Sequence, residues 1–129
     1  MKNTLSIAAL LGMLSIIFGA FGAHALKPLL TADMLAVFET GVRYQFYHAL
    51  ALLAVAILYQ LSENKKLILA SRLFYAGILL FSGSLYALSL SSIGGNPVRL
   101  LGSITPFGGV CFILGWFFVF RAARTSTFK

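Results

Sequence analysis

The sequence predicts an all-α integral membrane protein, a four-helix bundle in which an amphipathic helical segment leads into the second span. Three observations predict it: 60% of the 129 residues are hydrophobic and 10% are charged, the mean hydropathy is +0.94, and apolar residues form four uncharged runs of membrane length. A helix needs about 20 apolar residues to cross a hydrocarbon core of roughly 30 Å, where unpaired backbone groups are costly. Too few charges remain to cover a soluble surface, so we expect one transmembrane domain over residues 1–129.

The first span is predicted over residues 5–25, between Lys2 and Lys27. A signal peptide is the alternative interpretation, because a basic start, an apolar run and an A-x-A sequence follow one another. The uncharged run is longer than a signal core of roughly 7–15 residues, and it carries a small-residue seam that suits close helix packing. The seam consists of Gly12, Ser15, Gly19 and Gly22. We therefore expect a retained first span.

The second span is predicted over residues 44–61, and an amphipathic segment at residues 31–43 precedes it. Thr31 can cap this segment, and Asp33 lies in its first turn, where a negative charge complements the helix dipole. Apolar residues share one side of the segment and polar residues the other. Two placements remain open: the segment lies on the membrane surface, or it forms the projecting base of the second span.

The third and fourth spans are predicted over residues 67–91 and 101–120. A short polar turn, Ser62–Lys66, precedes the third span, and the sequence Gly94–Pro97 is a strong turn signal between the two. Trp116, near the end of the last span, is typical of a membrane interface.

The distribution of basic residues predicts the orientation. If four helices cross, the N-terminus, the turn after the second span and the C-terminal tail share one side, with seven Lys or Arg residues against three on the other. The positive-inside rule then places both termini in the cytoplasm and the chain in a bacterial inner membrane. The net charge of +7 does not indicate nucleic acid, because the basic residues stand at the ends of apolar runs rather than beside aromatics on one face. Their expected partners are lipid headgroups.

Polar side chains from all four spans are expected to converge in the outer half of the membrane. A polar group in lipid is costly unless it faces partners or water, so this convergence predicts a polar cluster or ligand site. The candidate residues are His24, Glu39, Arg43, Tyr44, Gln45, His48, Ser82, Ser84, Tyr86 and Thr105.

Helical spacing divides the candidates of the second span into two faces. Glu39 and Arg43 are four residues apart in the order that favours an ion pair, which could fasten a helix end. Tyr44 and His48, also four apart, form either an interhelical hydrogen-bond clasp or a ligand or proton site. An unpaired imidazole at His48 would cost roughly 1–3 kcal/mol, so we expect it to have a partner. Tyr44, Gln45, His24 or Tyr86 is expected to supply it.

No catalytic residue, metal or cofactor is predicted. Cys111 is the only cysteine, so the thiols of one chain cannot build an internal disulfide or a metal cluster. Two histidines alone underfill a zinc site, and the Cys-x-x-Cys-His haem attachment sequence is missing. The sequence also lacks the G-x-S-x-G, H-E-x-x-H and P-loop motifs.

Four segments resemble the small bacterial membrane proteins catalogued as domain of unknown function 423. These signatures are Gly19–Leu26 (GAFGAHAL), Glu39–Leu53 (ETGVRYQFYHALALL), Ser82–Leu88 (SGSLYAL) and Gly102–Trp116 (GSITPFGGVCFILGW). The resemblance covers almost the whole chain and implies a four-helix membrane protein with no established activity. Ala25 stands where many members have Gly, the loop around Gly94–Val98 is longer than usual, and Arg43 is not a dependable part of the family pattern.

Two classes of function remain open. The first is a non-enzymatic inner-membrane protein that self-associates or serves as an accessory subunit. It is indicated by the lack of catalytic motifs and by two small-residue seams, the one on the first span and a second on the fourth span (Gly108, Gly109 and Gly115). The second is a transporter, channel or binding protein for a small polar solute, a proton or a quinone headgroup, which would use the polar cluster. A closed, dry cluster would favour the first class, and a cavity between the cluster residues would favour the second.

Overall fold

The computed structural model describes residues 1–126, and its helices form four segments that are long and apolar enough to cross a membrane. Segments 1 to 4 run Lys2–Leu26, Ala32–Ser62, Lys65–Gly94 and Arg99–Thr125. Each segment contains one predicted span, and the described residues contain no strand. The prediction of an all-α protein with four membrane-length helices is therefore confirmed.

Within residues 1–126, five α-helices build these segments, and tighter or wider helical turns extend them. The α-helices are α1 (Lys2–Phe21), α2 (Ala32–Ser62), α3 (Lys65–Gly77), α4 (Gly83–Ser91) and α5 (Thr105–Thr125). The π-helical turns are Gly22–Leu26 and Ile78–Ser82, and the 3-10 turns are Ser92–Gly94 and Arg99–Ser103. The π-helical turn inside segment 3 is a local widening of the helix of a kind that often occurs at functional sites.

The amphipathic segment and the second span form one continuous helix, α2, of 31 residues. The side chain of Thr31 accepts a hydrogen bond from the backbone N–H of Met34 at 3.3 Å, which is the predicted N-cap. At 1.5 Å per residue, α2 is about 46 Å long, more than the roughly 30 Å of a hydrocarbon core. The sequence left two placements open for residues 31–43. In the structure, this segment is a helical extension of the second span.

The turn between α2 and α3 is fixed by hydrogen bonds at both helix ends. Glu63 ends α2 in the left-handed region with φ of 47°, and its N–H donates to the carbonyl of Tyr59. Asn64 starts α3: its Oδ1 accepts from the N–H of Lys66 at 3.0 Å, and its Nδ2 donates to Oγ1 of Thr125 at 3.2 Å. These bonds hold the turn against the end of α5.

The N-terminus, this turn and the end of α5 lie at one end of the molecule. Lys2 and Glu63 line the same cavity, and Nζ of Lys66 donates to Oγ1 of Thr125 at 3.1 Å. The structure thus has the predicted arrangement in which these three parts of the chain share one side.

Segments 1 and 4 flank the bundle, and segments 2 and 3 form its middle. α1 packs mainly on α2, whereas α5 packs mainly on α3 and the π-helical turn that follows it. In the most apolar stretch of each segment, 17% of residues are buried in segments 1 and 4, against 39% in segment 2 and 33% in segment 3. The two flanking segments therefore expose most of their apolar surface to the surrounding lipid.

Small residues bring the flanking segments close to the middle ones. A Cβ atom added at Gly22 would lie 3.0 Å from the ring of Phe38, and one at Gly115 would lie 2.5 Å from the ring of Phe74. A Cβ at Gly115 would force the Phe74 ring to shift, and one at Gly22 would press on the Phe38 ring. Much of both small-residue seams is thus used for packing inside the chain.

Candidate functional site

Gln45 joins three segments through the two ends of its amide. Its Nε2 donates to the carbonyl of Leu11 in α1 at 2.9 Å, and its Oε1 accepts from the hydroxyl of Tyr86 in α4 at 2.9 Å. A carbonyl can only accept, so the amide NH₂ must face Leu11, and the amide oxygen is left for Tyr86. Gln45 is 3% exposed, and these bonds satisfy polar groups that the lipid would leave unpaired.

His48 is held by two hydrogen bonds that define its protonation state. Its Nδ1 lies 2.8 Å from the carbonyl oxygen of Tyr44, and its Nε2 accepts from the indole Nε1–H of Trp116 at 3.3 Å. A carbonyl only accepts and an indole N–H only donates, so Nδ1 carries the proton and Nε2 carries the lone pair. In this arrangement His48 is a neutral imidazole with both nitrogens bonded.

Aromatic rings surround this imidazole. The ring of Phe112 stacks on it with centroids 3.5 Å apart and planes 6° apart, and Tyr44 lies 6.2 Å away at 21°. The ring centroid of Phe74, a residue of α3, lies 5.3 Å from that of His48. Aromatic pairs contribute about 0.5–1.5 kcal/mol beyond their buried area, so His48 is a packing centre for α2, α3 and α5 as well as a hydrogen-bonding group.

The interhelical partner of His48 is Trp116, which the sequence assigns only to the membrane interface. Trp116 lies more than one helical turn before Arg121, and its N–H is directed at the buried imidazole. The sequence could have indicated such a partner, because an indole N–H in apolar surroundings needs a hydrogen-bond acceptor. Of the four expected alternatives, Tyr44 supplies a partner through its backbone carbonyl, whereas the side chains of His24, Gln45 and Tyr86 bond elsewhere.

Two serines of segment 3 connect it to its neighbours. Oγ of Ser82 donates to the carbonyl of Gly41 in α2 at 2.7 Å, and Oγ of Ser84 lies 2.7 Å from Oγ1 of Thr105 at the start of α5. Ser84 also donates to the carbonyl of Phe81 at 2.9 Å, so Thr105 supplies the proton between the two hydroxyls. Both serines act as links between segments.

Three candidates stand apart from these bonds. His24, Glu39 and Arg43 are exposed, and Nδ1 of His24 lies 3.0 Å from the carbonyl of Ala20 in its own segment. No salt bridge joins Glu39 to Arg43, so the expected ion pair is not formed; an exposed pair of this kind contributes little in any case. The stem of Arg43 instead lines an apolar groove between α1 and α2.

The ten candidates do not surround a single cavity. Gln45, Tyr86, Ser82, Ser84 and Thr105 bond between segments, whereas two others line an open cleft between segments 2, 3 and 4. This aromatic cleft has a volume of about 360 Å³ and is lined by Tyr44, His48, Phe81, Gly109, Phe112, Ile113 and Trp116. Across residues 1–126, no group of three or more His, Cys, Asp or Glu side chains is arranged to hold a metal ion.

Fold and site define a helical membrane protein with four membrane-length segments, in which the buried side chains of Gln45, His48 and Ser82 tie the segments together. The family model described as a protein of unknown function, DUF423, matches residues 18–109. The chain belongs to the DUF423 family, which confirms the resemblance seen in its four signatures.

Relatives cover nearly the whole chain and carry membrane-protein names. The chain is 44% identical over 124 residues to the UPF0382 membrane protein YwdK of Bacillus subtilis, which covers 95% of this chain and 97% of that one. It is 44% identical over 117 residues to a UPF0382 membrane protein of Haemophilus influenzae, with 90% of each chain covered. It is 39% identical over 112 residues to the UPF0382 inner membrane protein YgdD of Escherichia coli, with 87% and 82% covered. No solved structure matches the chain.

Proposed function

We propose that this protein is a non-enzymatic component of the inner membrane that acts by associating with copies of itself or with a larger membrane complex. The observation that carries the proposal is that the buried polar side chains of the candidate cluster have hydrogen-bond partners within the chain. Both ends of the Gln45 amide and both nitrogens of His48 have partners, and Ser82 bonds across to α2. Such groups can bind a solute or move a proton only by breaking contacts that hold the segments together.

The exposed faces of segments 1 and 4 support association. Ile16 is 67% exposed and Ile113 is 69% exposed, and a Cβ added at Gly12 would have no neighbour within 4 Å. Gly12 therefore leaves room for a helix outside the chain, unlike Gly22, which packs against α2. Inside a bilayer, helices associate through this kind of close packing rather than through the hydrophobic effect.

Isolation in nanodiscs with native lipids, followed by native mass spectrometry, tests the proposal. We expect a defined multimer or a co-purifying membrane protein. In a Cys111→Ala background, Ile16→Cys should cross-link to a second chain, whereas Leu52→Cys, at a site that is 0% exposed, is the matched control that should not. A strictly monomeric particle without a partner would contradict the proposal.

A second candidate function is the binding of a lipid-soluble molecule. Gln45 and Tyr86 bond to each other, so a path for a polar solute or a proton between them is not supported. The aromatic cleft is open, however, and two residues of the expected site, Tyr44 and His48, line it. The sequence analysis left open a small polar solute, a proton or a quinone headgroup as the ligand. Of these three, a quinone headgroup suits the aromatic lining of the cleft best.

We also propose that both termini face the cytoplasm. The shared position of the N-terminus, the α2–α3 turn and the end of α5 puts most Lys and Arg residues at one end of the molecule. The positive-inside rule places that end in the cytoplasm.

A further inference from the structure

We propose that the aromatic cleft binds an uncharged, planar ring with carbonyl oxygens, carried by a lipid-soluble molecule; this is the chemical class of a quinone headgroup. The inference rests on the second candidate function. The cleft volume of about 360 Å³ lies within the usual range of roughly 300–1,000 Å³ for small-molecule pockets.

The orientation of the cleft walls favours a flat ligand. The planes of Tyr44, His48 and Phe112 are nearly parallel, at 21° between the first two, 6° between the last two and 27° between the first and third. The ring of Phe81 lies 4.5 Å from that of Tyr44 and closes one side. His48 and Phe112 stack on each other and are each 4% exposed, so the ring of this parallel group that a ligand can reach is Tyr44, which is 39% exposed. A planar ring can stack on it.

The polar groups of the cleft favour a ligand that accepts a hydrogen bond. The donor N–H groups of His48 and Trp116 are already used, the first for the Tyr44 carbonyl and the second for the imidazole. The Tyr44 hydroxyl has no hydrogen-bond partner among residues 1–126, so it is free to donate. A quinone carbonyl can accept this bond and an acyl chain cannot.

The position of the cleft favours entry from the lipid. Tyr44, Ile113 and Trp116 are 39%, 69% and 51% exposed, and they border the cleft on the outside of the bundle. Tyr44 precedes the end of α2 at Ser62 by about 27 Å of helix, so its hydroxyl lies near one membrane boundary when Ser62 lies near the other. A ring on an isoprenoid or alkyl tail can thus enter sideways and keep its tail in the bilayer.

Two successive glycines of α5 have different roles, which makes the cleft testable. A Cβ added at Gly108 would lie 2.8 Å from Cα of Phe81, so Gly108 serves packing. A Cβ added at Gly109 would meet only the Phe81 ring, at 4.0 Å. A larger side chain at Gly109 should therefore occupy the cleft without forcing the helices apart.

Trp116 is the only tryptophan of the chain and lines the cleft, so its fluorescence reports directly on binding. The probe is decylubiquinone, titrated into nanodiscs that hold the full chain in phosphatidylcholine. We expect saturable quenching in the wild type and its loss in Gly109→Leu. The matched control is Gly83→Leu, since Gly83 also has open space around its Cβ position but lies outside the cleft lining; it should quench as the wild type does.

A second variant keeps the test valid if Gly109→Leu folds poorly. Tyr44→Phe removes only the hydroxyl, and the loss of one hydrogen bond should weaken binding by about three- to tenfold while saturation is retained. Unaltered affinity in Tyr44→Phe would overturn the assigned role of the hydroxyl.

Two results would overturn the proposal itself. The first is quenching that rises linearly with decylubiquinone and is equal in wild type and Gly109→Leu, which is the mark of random collision in the bilayer. The second is saturable quenching by decylubiquinone that excess hexadecane, which does not quench, relieves completely; this would show that an ordinary alkyl chain fills the cleft equally well. A monomeric protein with saturable quenching would contradict the association proposal alone.

Discussion

Replacing His48 with Ala tests whether the imidazole holds α2 against segment 4. The change leaves the Trp116 N–H without its acceptor, and hydrogen bonds between membrane helices contribute about 0.6 kcal/mol on average and up to about 1.7 kcal/mol. It also removes the stacked contact with Phe112 at 3.5 Å, which contributes about 0.5–1.5 kcal/mol. The cavity that the missing ring leaves behind lowers the free energy of unfolding by about a further 1 kcal/mol. We expect the free energy of unfolding to fall by about 2–4 kcal/mol.

His24→Ala is the matched control, because it removes the same side chain from an exposed site. Among residues 1–126, His24 has one hydrogen bond, to the carbonyl of Ala20 in its own segment, and water or headgroups can replace it. We expect a loss below about 0.5 kcal/mol. The assay is reversible unfolding in mixed micelles as the mole fraction of dodecyl sulfate rises, followed by circular dichroism.

A double-mutant cycle separates the hydrogen bond from the packing. Trp116→Phe keeps an aromatic ring and removes the N–H. The loss of unfolding free energy in the double variant should therefore be smaller than the sum of the two single losses, by a coupling energy of about 0.5–1.5 kcal/mol. Equal unfolding free energies for the two histidine variants, or a coupling energy of zero, would refute the reasoning that His48 and Trp116 act as a pair.

Two further predictions concern packing and topology. Gly108→Ala should lower the free energy of unfolding by about 2 kcal/mol or more through overpacking, whereas Gly109→Ala should be neutral or slightly stabilising; equal effects would contradict the assigned contacts. In a Cys111→Ala background, an impermeant thiol reagent applied to intact cells should label Asn96→Cys and not Asn64→Cys; labelling at Asn64→Cys instead would reverse the orientation.

The architecture was predictable because a bilayer imposes strict conditions on a sequence. Uncharged runs of membrane length can satisfy their backbone only as helices, so composition and the spacing of charges were sufficient for the four segments. The Thr31 cap was predictable too, since it depends on residues within one helical turn. The continuity of α2 was not, because an amphipathic pattern is compatible with both a surface helix and a helix extension.

The candidate site was predictable in its residue types and not in its pairings. Spacing along one helix does not show which side chain faces which neighbour, so the sequence does not show that Gln45 bridges Leu11 and Tyr86. The same limit explains the missed partner of His48 and the absent ion pair of Glu39 and Arg43.

By itself, the sequence determined the membrane environment, the helical class, the number of spans and the family, because hydropathy, charge and local motifs are properties of short stretches of chain. Only the tertiary structure decided how the polar groups are used. Packing of segment 4 onto segments 2 and 3 brings Trp116 to His48 and leaves the aromatic cleft beside Gly109. These arrangements depend on the rotation of each helix about its axis, which is set by contacts between residues far apart in the chain.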